Sequence, residues 1–264
     1  MPRIYKSYSA KNNENMSEFK SWRSFLHFSN SVIREERYIR TEHTEKFLDT
    51  VLSTSLKRQR KLKSETILWR CQNGHAWRMH EQGDEKFEIP DVFSSARMKP
   101  TAEYASDGRA NPQGIPSLYL ATELDTAISE TRPWIGSIVT VAQFKTTRSL
   151  KIVDCASEEP AYPLFMGEPN SQDREMAVWA YIDKSFSEPV TRNEDTRRYI
   201  PTQILAELFK ANGIDGIAYR SNFGENGINI VLFDLDAANV LNRQLYRVKN
   251  IQITSHEDDS LVGS

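Results

Sequence analysis

Cysteine and histidine are scarce in this chain, whose 264 residues include only 2 cysteines and 5 histidines. So few thiols exclude a disulfide framework, and they exclude a four-ligand zinc site unless several histidines join it. We therefore interpret Cys71 and Cys155 as reduced thiols and expect no metal site.

Long apolar runs are also missing. The sequence has no run of about 18 apolar residues, the length that a membrane-spanning helix needs. The residues from Met1 to Lys6 contain no apolar stretch of the kind found in secretion signals. Internal repeats and low-complexity segments are absent as well. These absences predict a cytoplasmic protein with no membrane partner.

The composition that remains is that of a globular protein, with 39% hydrophobic and 27% charged residues. The net charge of -2 conceals an asymmetry, because residues 1–64 hold 14 Lys and Arg against 7 Asp and Glu, which leaves 20 against 29 in residues 65–264. The basic segment is either an arm that approaches nucleic acid or an acidic partner, or a solvated helical face packed on an acidic body.

Changes in composition and hydrophobic pattern divide the chain into four segments. We expect a mobile leader over residues 1–16, a basic helical extension over 17–64, a main domain over 65–240, and a terminal strand with a polar tail over 241–264. In the extension, apolar residues recur close to the 3.6-residue helical period, which predicts helices over roughly 18–39 and 42–62.

Short apolar runs in the main domain predict strands, and amphipathic stretches predict helices. The strands are expected at 66–70, 117–121, 137–144, 150–153, 216–220 and 228–233, and the helices after Thr122 as N-cap and near 172–186 and 202–211. Their irregular order indicates a mixed α+β fold rather than a doubly wound one. A long polar tract, Gly83 to Pro116, predicts a working loop.

The end of that tract carries the first candidate binding residues. Two glycines and two prolines shape the backbone around Arg109 and Asn111 immediately before a strand, an arrangement that favours a ligand-binding loop. Arg109 offers a planar fork of donors that suits a diphosphate or a carboxylate, although a surface pair with Asp107 is the alternative.

Two further charged residues are expected beside apolar ones. Glu130 lies three residues after Ala127, at the margin of a buried helical face, so its carboxylate needs either a task or a partner such as Arg132. Arg70 ends an apolar strand, where a guanidinium is costly unless it is paired.

Three polar residues complete the candidates, each with an ordinary alternative. Tyr119 lies in an apolar strand, as a core tyrosine does, and Ser221 follows a strand end, where turn chemistry is common. Asn229 is flanked by apolar residues and needs hydrogen-bond partners if it is buried.

Taken together, these residues resemble the RES family, named for its Arg, Glu and Ser. The resemblance runs from about Glu65 to about Asp236. It lies in Leu68-Trp69-Arg70, Gly108-Arg109-Ala110-Asn111 with Gly114, Leu118-Tyr119-Leu120-Ala121, Thr126-Ala127-Ile128-Ser129-Glu130, Tyr219-Arg220-Ser221 and Asn229-Ile230-Val231-Leu232-Phe233-Asp234. Characterised members of that family are NAD⁺-degrading toxins of bacterial toxin–antitoxin pairs.

The resemblance implies a fold like that of ADP-ribosyltransferases and NAD⁺ as a consumed substrate rather than a cofactor. The nicotinamide–ribose bond would be cleaved with phosphate or water as acceptor, which depletes NAD⁺ and arrests growth. By motif, Arg70 and Arg109 would hold the phosphates, and Asn111 and Asn229 would also bind substrate. Glu130, Tyr119 and Ser221 would form the catalytic set: Glu130 would act on the nicotinamide ribose, Tyr119 would contact it and Ser221 would help to position it.

Two other functions stay open at this stage. One is a protein ADP-ribosyltransferase, and the other is a nucleic-acid-binding regulator that uses the basic arm, although nucleic acid is not the favoured partner. The helical extension and the insertion between Arg70 and Arg109 depart from compact members of the family. Family partners are usually separate antitoxins, so the resemblance implies a possible antitoxin partner, and the extension would serve as its dock, as a dimerisation arm or as a cover.

Overall fold

The computed structural model describes residues 18–156, 165–188, 196–223 and 227–252. The expected leader, residues 1–16, and most of the expected polar tail lie outside the described residues.

Helices and strands alternate irregularly along the described residues, which confirms the mixed α+β class. The helices are α1 (Ser24–Arg34), α2 (Glu42–Ser55), α3 (Leu124–Glu130), α4 (Ser171–Ser187) and α5 (Ile200–Ala211). The strands are β1 (Gln59–Leu62), β2 (Ile67–Asn73), β3 (Ala76–Gln82), β4 (Glu85–Asp91), β5 (Leu118–Ala121), β6 (Ile138–Thr146), β7 (Leu150–Asp154), β8 (Gly216–Arg220), β9 (Ile228–Leu232) and β10 (Ala238–Arg247).

Eight of these strands form one mixed sheet in the order β1-β7-β8-β9-β5-β2-β6-β10. The β7–β8 pair is parallel, and the other neighbours are antiparallel. The junction between β5 and β2 is weak, because Trp69 and Ala121 are the one pair that joins these two strands in the described part of the chain. The sheet is therefore almost interrupted near its middle.

The helical layer covers one face of the sheet and includes the N-terminal extension. Phe28 of α1 stacks on Phe47 of α2 with ring centroids 4.6 Å apart, and both belong to the same buried cluster as Trp179 of α4. The indole N–H of Trp179 donates to the hydroxyl of Thr54 in α2 at 3.2 Å. The extension thus shares a core with the rest of the protein.

The second helix of the extension ends earlier than the sequence pattern predicted. Helix α2 stops at Ser55, and Gln59–Leu62 form β1, which pairs antiparallel with β7 at the edge of the sheet. The expected helix to residue 62 was wrong, because the edge of β7 offers backbone partners that outweigh the local helical preference of a polar segment.

The polar tract predicted as one long loop contains a hairpin. Strand β4 pairs antiparallel with β3 in a separate two-stranded sheet, and Gly83 in the connecting turn has φ +64. A glycine followed by Asp84 between two strand-like runs is a hairpin signal, because the turn needs a positive φ. The tract from Ser94 to Ser117 has no strand beyond an isolated Gly108–Asn111 bridge.

Helix α3 begins one residue later than expected. Its N-cap is Glu123 rather than Thr122, whose hydroxyl instead contacts the backbone of Ile228 at 3.4 Å. The predicted cap was wrong because Thr122 fastens β5 to β9. Glu130 is the last residue of the helix.

The aromatic cluster of the extension gives a stability prediction. We expect Phe28→Ala to lower the free energy of unfolding by about 3–5 kcal/mol, since the ring is 1% exposed and its loss leaves a cavity. Leu26→Ala, on the same helix but 40% exposed, should cost less than about 1 kcal/mol. Urea unfolding of both variants checks this, and equal losses would contradict the shared core.

Candidate active site

A pocket of about 120 Å³ opens where β2 and β5 separate. Its walls come from β2, β5, β8, β9 and the end of α3. The lining residues are Trp69, Arg70, Cys71, Arg109, Tyr119, Leu120, Ala121, Ala127, Glu130, Thr131, Tyr219 and Asn229. The pocket volume is well below the 300–1,000 Å³ typical of complete small-molecule sites, so it suits one end of a larger ligand.

Glu130 is half-buried at the C-terminal end of α3, where the helix dipole disfavours a negative charge. Two donors hold its Oε1 atom: the Ser221 hydroxyl at 2.7 Å and the Asn229 side-chain amide at 2.6 Å. Among the described residues both bonds reach Oε1, which leaves Oε2 as the carboxylate oxygen for a ligand. In the same described part of the chain, Glu130 forms no ion pair with Arg132, whose guanidinium lies 5.5 Å from the Phe223 ring centroid.

Arg70 brings a cation into the same pocket without a described counterion. Its Nη1 donates to the backbone carbonyl of Tyr119 at 2.8 Å, whereas its Nε is buried with no hydrogen-bond partner in the described structure. Burial lowers the pKa of Arg70 to about 10. A buried guanidinium in this state is costly, and an incoming anion would compensate it.

Arg109 lies in the loop formed by residues 105–117, which we call the Arg109 loop. Its Nε and Nη2 donate to the Glu188 carbonyl, just after α4, at 3.3 and 3.0 Å. Burial raises the pKa of Tyr219, and the neighbouring Arg109 guanidinium opposes that rise. Asp107 accepts from Gln113 and Gln203 instead of Arg109, so the described contacts do not include the alternative surface pair.

Tyr119 supports the Arg109 loop from below. Its hydroxyl donates to Asn111 Oδ1 at 2.7 Å and accepts from the Ala110 N–H at 2.9 Å, while burial raises its pKa to about 12. A Cβ at Gly108 would lie 2.5 Å from this hydroxyl, so residue 108 has no room for a side chain. The ring of Tyr119, rather than its engaged hydroxyl, is what the pocket offers to a ligand.

Asn111 is buried and its hydrogen bonds serve the loop. Its Nδ2 donates to the carbonyls of Ser106 and Pro112, each at 3.0 Å, in addition to the bond that Oδ1 accepts from Tyr119. Ser221 likewise contacts the pocket through Glu130 and also accepts from the Phe223 N–H at 3.0 Å. Asn111 and Ser221 therefore do not line the pocket themselves but hydrogen-bond to the lining residues Tyr119 and Glu130.

The structure thus brings the seven residues named from the sequence into one connected site. Five of them line the pocket, namely Arg70, Arg109, Tyr119, Glu130 and Asn229. Sequence reasoning gave no role to Tyr219, Cys71 or Thr131, which also line it. Tyr219 could have been found by strand alternation, because it lies two residues before Ser221 and pairs with Asn229.

The site contains one carboxylate and two cationic side chains as its charged groups among the lining residues. In the described ranges, no group of three or more His, Cys, Asp or Glu side chains is placed to hold a metal ion. None of the helices in these ranges is long and apolar enough to cross a membrane. The arrangement can bind an anion with the arginines and stabilise a positive charge beside Glu130.

Comparison with known proteins places this geometry in context. The family model of the RES domain matches residues 68–251, which include every residue of the pocket wall. No curated protein matches the chain. A chain of the solved M. tuberculosis MbcT–MbcA toxin–antitoxin complex is similar, with a TM-score of 0.40, 11% identity, and coverage of 75% of this chain and 92% of that one.

The pocket thiol gives a prediction on pH and reactivity. Burial raises the pKa of Cys71 from 9.0 to about 11, so at pH 8 its thiolate population falls roughly a hundredfold. Iodoacetamide should therefore label Cys71 at least that much more slowly in the native protein than in guanidinium, with the rate rising up to pH 11. Mass spectrometry follows the labelled peptide, and equal native and denatured rates at pH 8 would contradict the burial.

Proposed function

The chain belongs to the RES family, and on that premise we propose that it is a cytoplasmic, toxin-like enzyme that cleaves NAD⁺ at the nicotinamide–ribose bond. NAD⁺ is its substrate and is consumed, with phosphate or water as acceptor, so the cell loses NAD⁺ and stops growing. The observation that carries the proposal is one pocket lined by a carboxylate and by two arginines that form no ion pair with a described residue.

The two arginines suit the diphosphate of the dinucleotide. Arg70 has an unsatisfied buried N–H group, and Arg109 is held in place by a carbonyl, so neither guanidinium is paired with a described carboxylate. Charge-assisted bonds from arginine to phosphate are short and directional, and they would offset the cost of burying Arg70. The small pocket would take the nicotinamide ribose end, with the adenosine end outside.

Glu130 suits the reacting ribose. Breaking the bond to a positively charged pyridinium develops oxocarbenium character on the sugar, and a fixed carboxylate stabilises that charge. Ser221 and Asn229 occupy Oε1, so Oε2 would face the ribose and accept a bond from one of its hydroxyls. Nicotinamide leaves as a neutral molecule, so its departure needs no general acid.

Contacts of the basic extension favour its reading as a face packed on an acidic body. Lys57 pairs with Glu175 at 3.1 Å, Arg60 lies 4.0 Å from Asp154, and the Arg58 guanidinium stacks 4.6 Å above the Trp179 ring. These basic residues at the end of the extension are therefore engaged within the molecule. A nucleic-acid function gains no support from them.

Product analysis tests the proposed function and distinguishes the three reactions that the protein could catalyse. Purified protein is incubated with NAD⁺ in the presence and absence of inorganic phosphate. ADP-ribose 1″-phosphate identifies phosphorolysis, ADP-ribose identifies hydrolysis, and label transferred to protein identifies an ADP-ribosyltransferase. In cells, expression without a neighbouring gene should stop growth as NAD⁺ falls, and co-expression of a separate antitoxin should prevent it.

Removing the carboxylate charge should stop the chemical step. In Glu130→Gln the amide oxygen can still accept from Ser221 and Asn229, so the fold and NAD⁺ binding should be retained. We expect kcat to fall on the order of 10²-fold or more, about 3 kcal/mol, because the oxocarbenium ion loses its stabilising charge. Glu123→Gln, exposed at the other end of α3, is the control. A near-normal kcat for Glu130→Gln would remove the assignment.

Substitution of either pocket arginine should weaken substrate binding. Arg109→Lys keeps the charge but loses the two-donor fork, so KM for NAD⁺ should rise about tenfold with a smaller change in kcat. Arg70→Ala should raise KM further or abolish turnover. Arg78→Lys, exposed on β3, serves as the control, and wild-type KM values in both pocket variants would exclude a diphosphate clamp.

A further inference from the structure

Gln203 lies outside the motifs that carry the family resemblance, yet its side chain contacts the Arg109 loop at three points. It belongs to the first turn of α5, and its Nε2 group faces the Gly108 carbonyl at 3.0 Å, the Asn111 carbonyl at 3.0 Å and Asp107 Oδ1 at 3.2 Å. A primary amide has two N–H donors, so these three acceptors share them.

The acceptors of Gln203 bracket Arg109 in the chain. The backbone of Gly108 and Asn111 is closed by a bridge in which the Gly108 N–H donates to the Asn111 carbonyl at 2.9 Å and the Asn111 N–H donates to the Gly108 carbonyl at 3.4 Å. Gln203 donates to the same two carbonyls and so spans the ends of the bend that carries Arg109. The bend is thereby tied to α5.

Helix α5 is a rigid support for that contact. Its neighbours in the chain, Ile204 and Leu205, are buried in the helical core together with Phe209. The amide of Gln203 consequently has a fixed position relative to the sheet on which Glu130 and Asn229 are arranged. A loop fixed in its binding conformation loses less entropy when the ligand arrives.

We propose that Gln203 is a positioning residue that holds the Arg109 loop so that Arg109 meets a phosphate group of the substrate. This rests on the proposed function, because the loop's task is to present a guanidinium to the dinucleotide. Gln203 acts through the backbone on either side of Arg109, so its loss should change substrate binding far more than the chemical step.

Two variants of nearly equal size separate this role from simple packing. Gln203→Leu removes the donors, and KM for NAD⁺ should rise about tenfold, the effect of one to two lost hydrogen bonds, with kcat changed by less than about threefold. Gln203→Glu should raise KM more than Gln203→Leu, because its carboxylate would face Asp107 and two carbonyls. Glu207→Gln, exposed one turn further along α5, is the control and should match the wild type.

A second substitution tests the Asp107 contact. Asp107→Asn added to Gln203→Glu removes the repulsion and returns an N–H donor between the two side chains, so KM should recover part of its loss. General damage to α5 would not be reversed by this change. A KM for Gln203→Glu equal to that of the wild type, or no recovery in the double variant, would overturn the role of this contact.

Hydrogen exchange in the protein without ligand gives a readout that does not depend on NAD⁺ cleavage. Backbone amides in residues 105–117 should exchange faster in Gln203→Leu than in the wild type and in Glu207→Gln, while amides of the buried strands keep their protection. If wild-type protein fails to cleave NAD⁺ but this pattern appears, the proposed function is wrong and the positioning of the loop stands. Unchanged exchange over 105–117 would overturn the positioning role even if NAD⁺ is cleaved.

Discussion

The near-interruption of the sheet between β2 and β5 is the constraint on which the site depends. These strands share the pair Trp69–Ala121, and the carbonyl of Tyr119 is bonded by the Arg70 side chain rather than by the backbone of β2. A continuous ladder would fill this space with paired backbone, whereas the gap admits a guanidinium and a ligand pocket. The buried charge of Arg70 is thus a direct result of how the strands are paired.

The second arginine is fixed by different elements from those that fix the carboxylate. Glu130 and its two donors come from the end of α3, the end of β8 and β9, while Arg109 is held by the carbonyl after α4. Both groups depend on residues that are distant in the chain, although the bend around Arg109 is also closed locally by the Gly108–Asn111 bridge. The sheet brings the carboxylate and its donors together, and the helical layer aims the guanidinium.

Most strands could be predicted, because apolar runs in a buried sheet leave a clear sequence pattern, and the polar residues named from the sequence lie together in the fold. The β3–β4 hairpin was missed although its turn carries a local signal, whereas two other errors fall where tertiary contacts override local preference. Residues 59–62 are mostly polar and follow a helix, yet they pair with β7, and Thr122 binds β9 instead of capping α3. The contact between Arg109 and Glu188 joins residues 79 positions apart, and no periodicity could have revealed it.

The carbonyl that holds Arg109 belongs to the residue following α4, and α4 is packed through Trp179 against Thr54 of the extension. Binding of an anion to Arg109 would therefore be thermodynamically linked to the stability of the helical layer. An anion that tightened the Arg109–Glu188 contact would also stabilise the end of α4, and by mass action its binding energy would add to the resistance of the N-terminal helices to melting. A reporter group placed on α1 or α2 would then sense whether the pocket is filled.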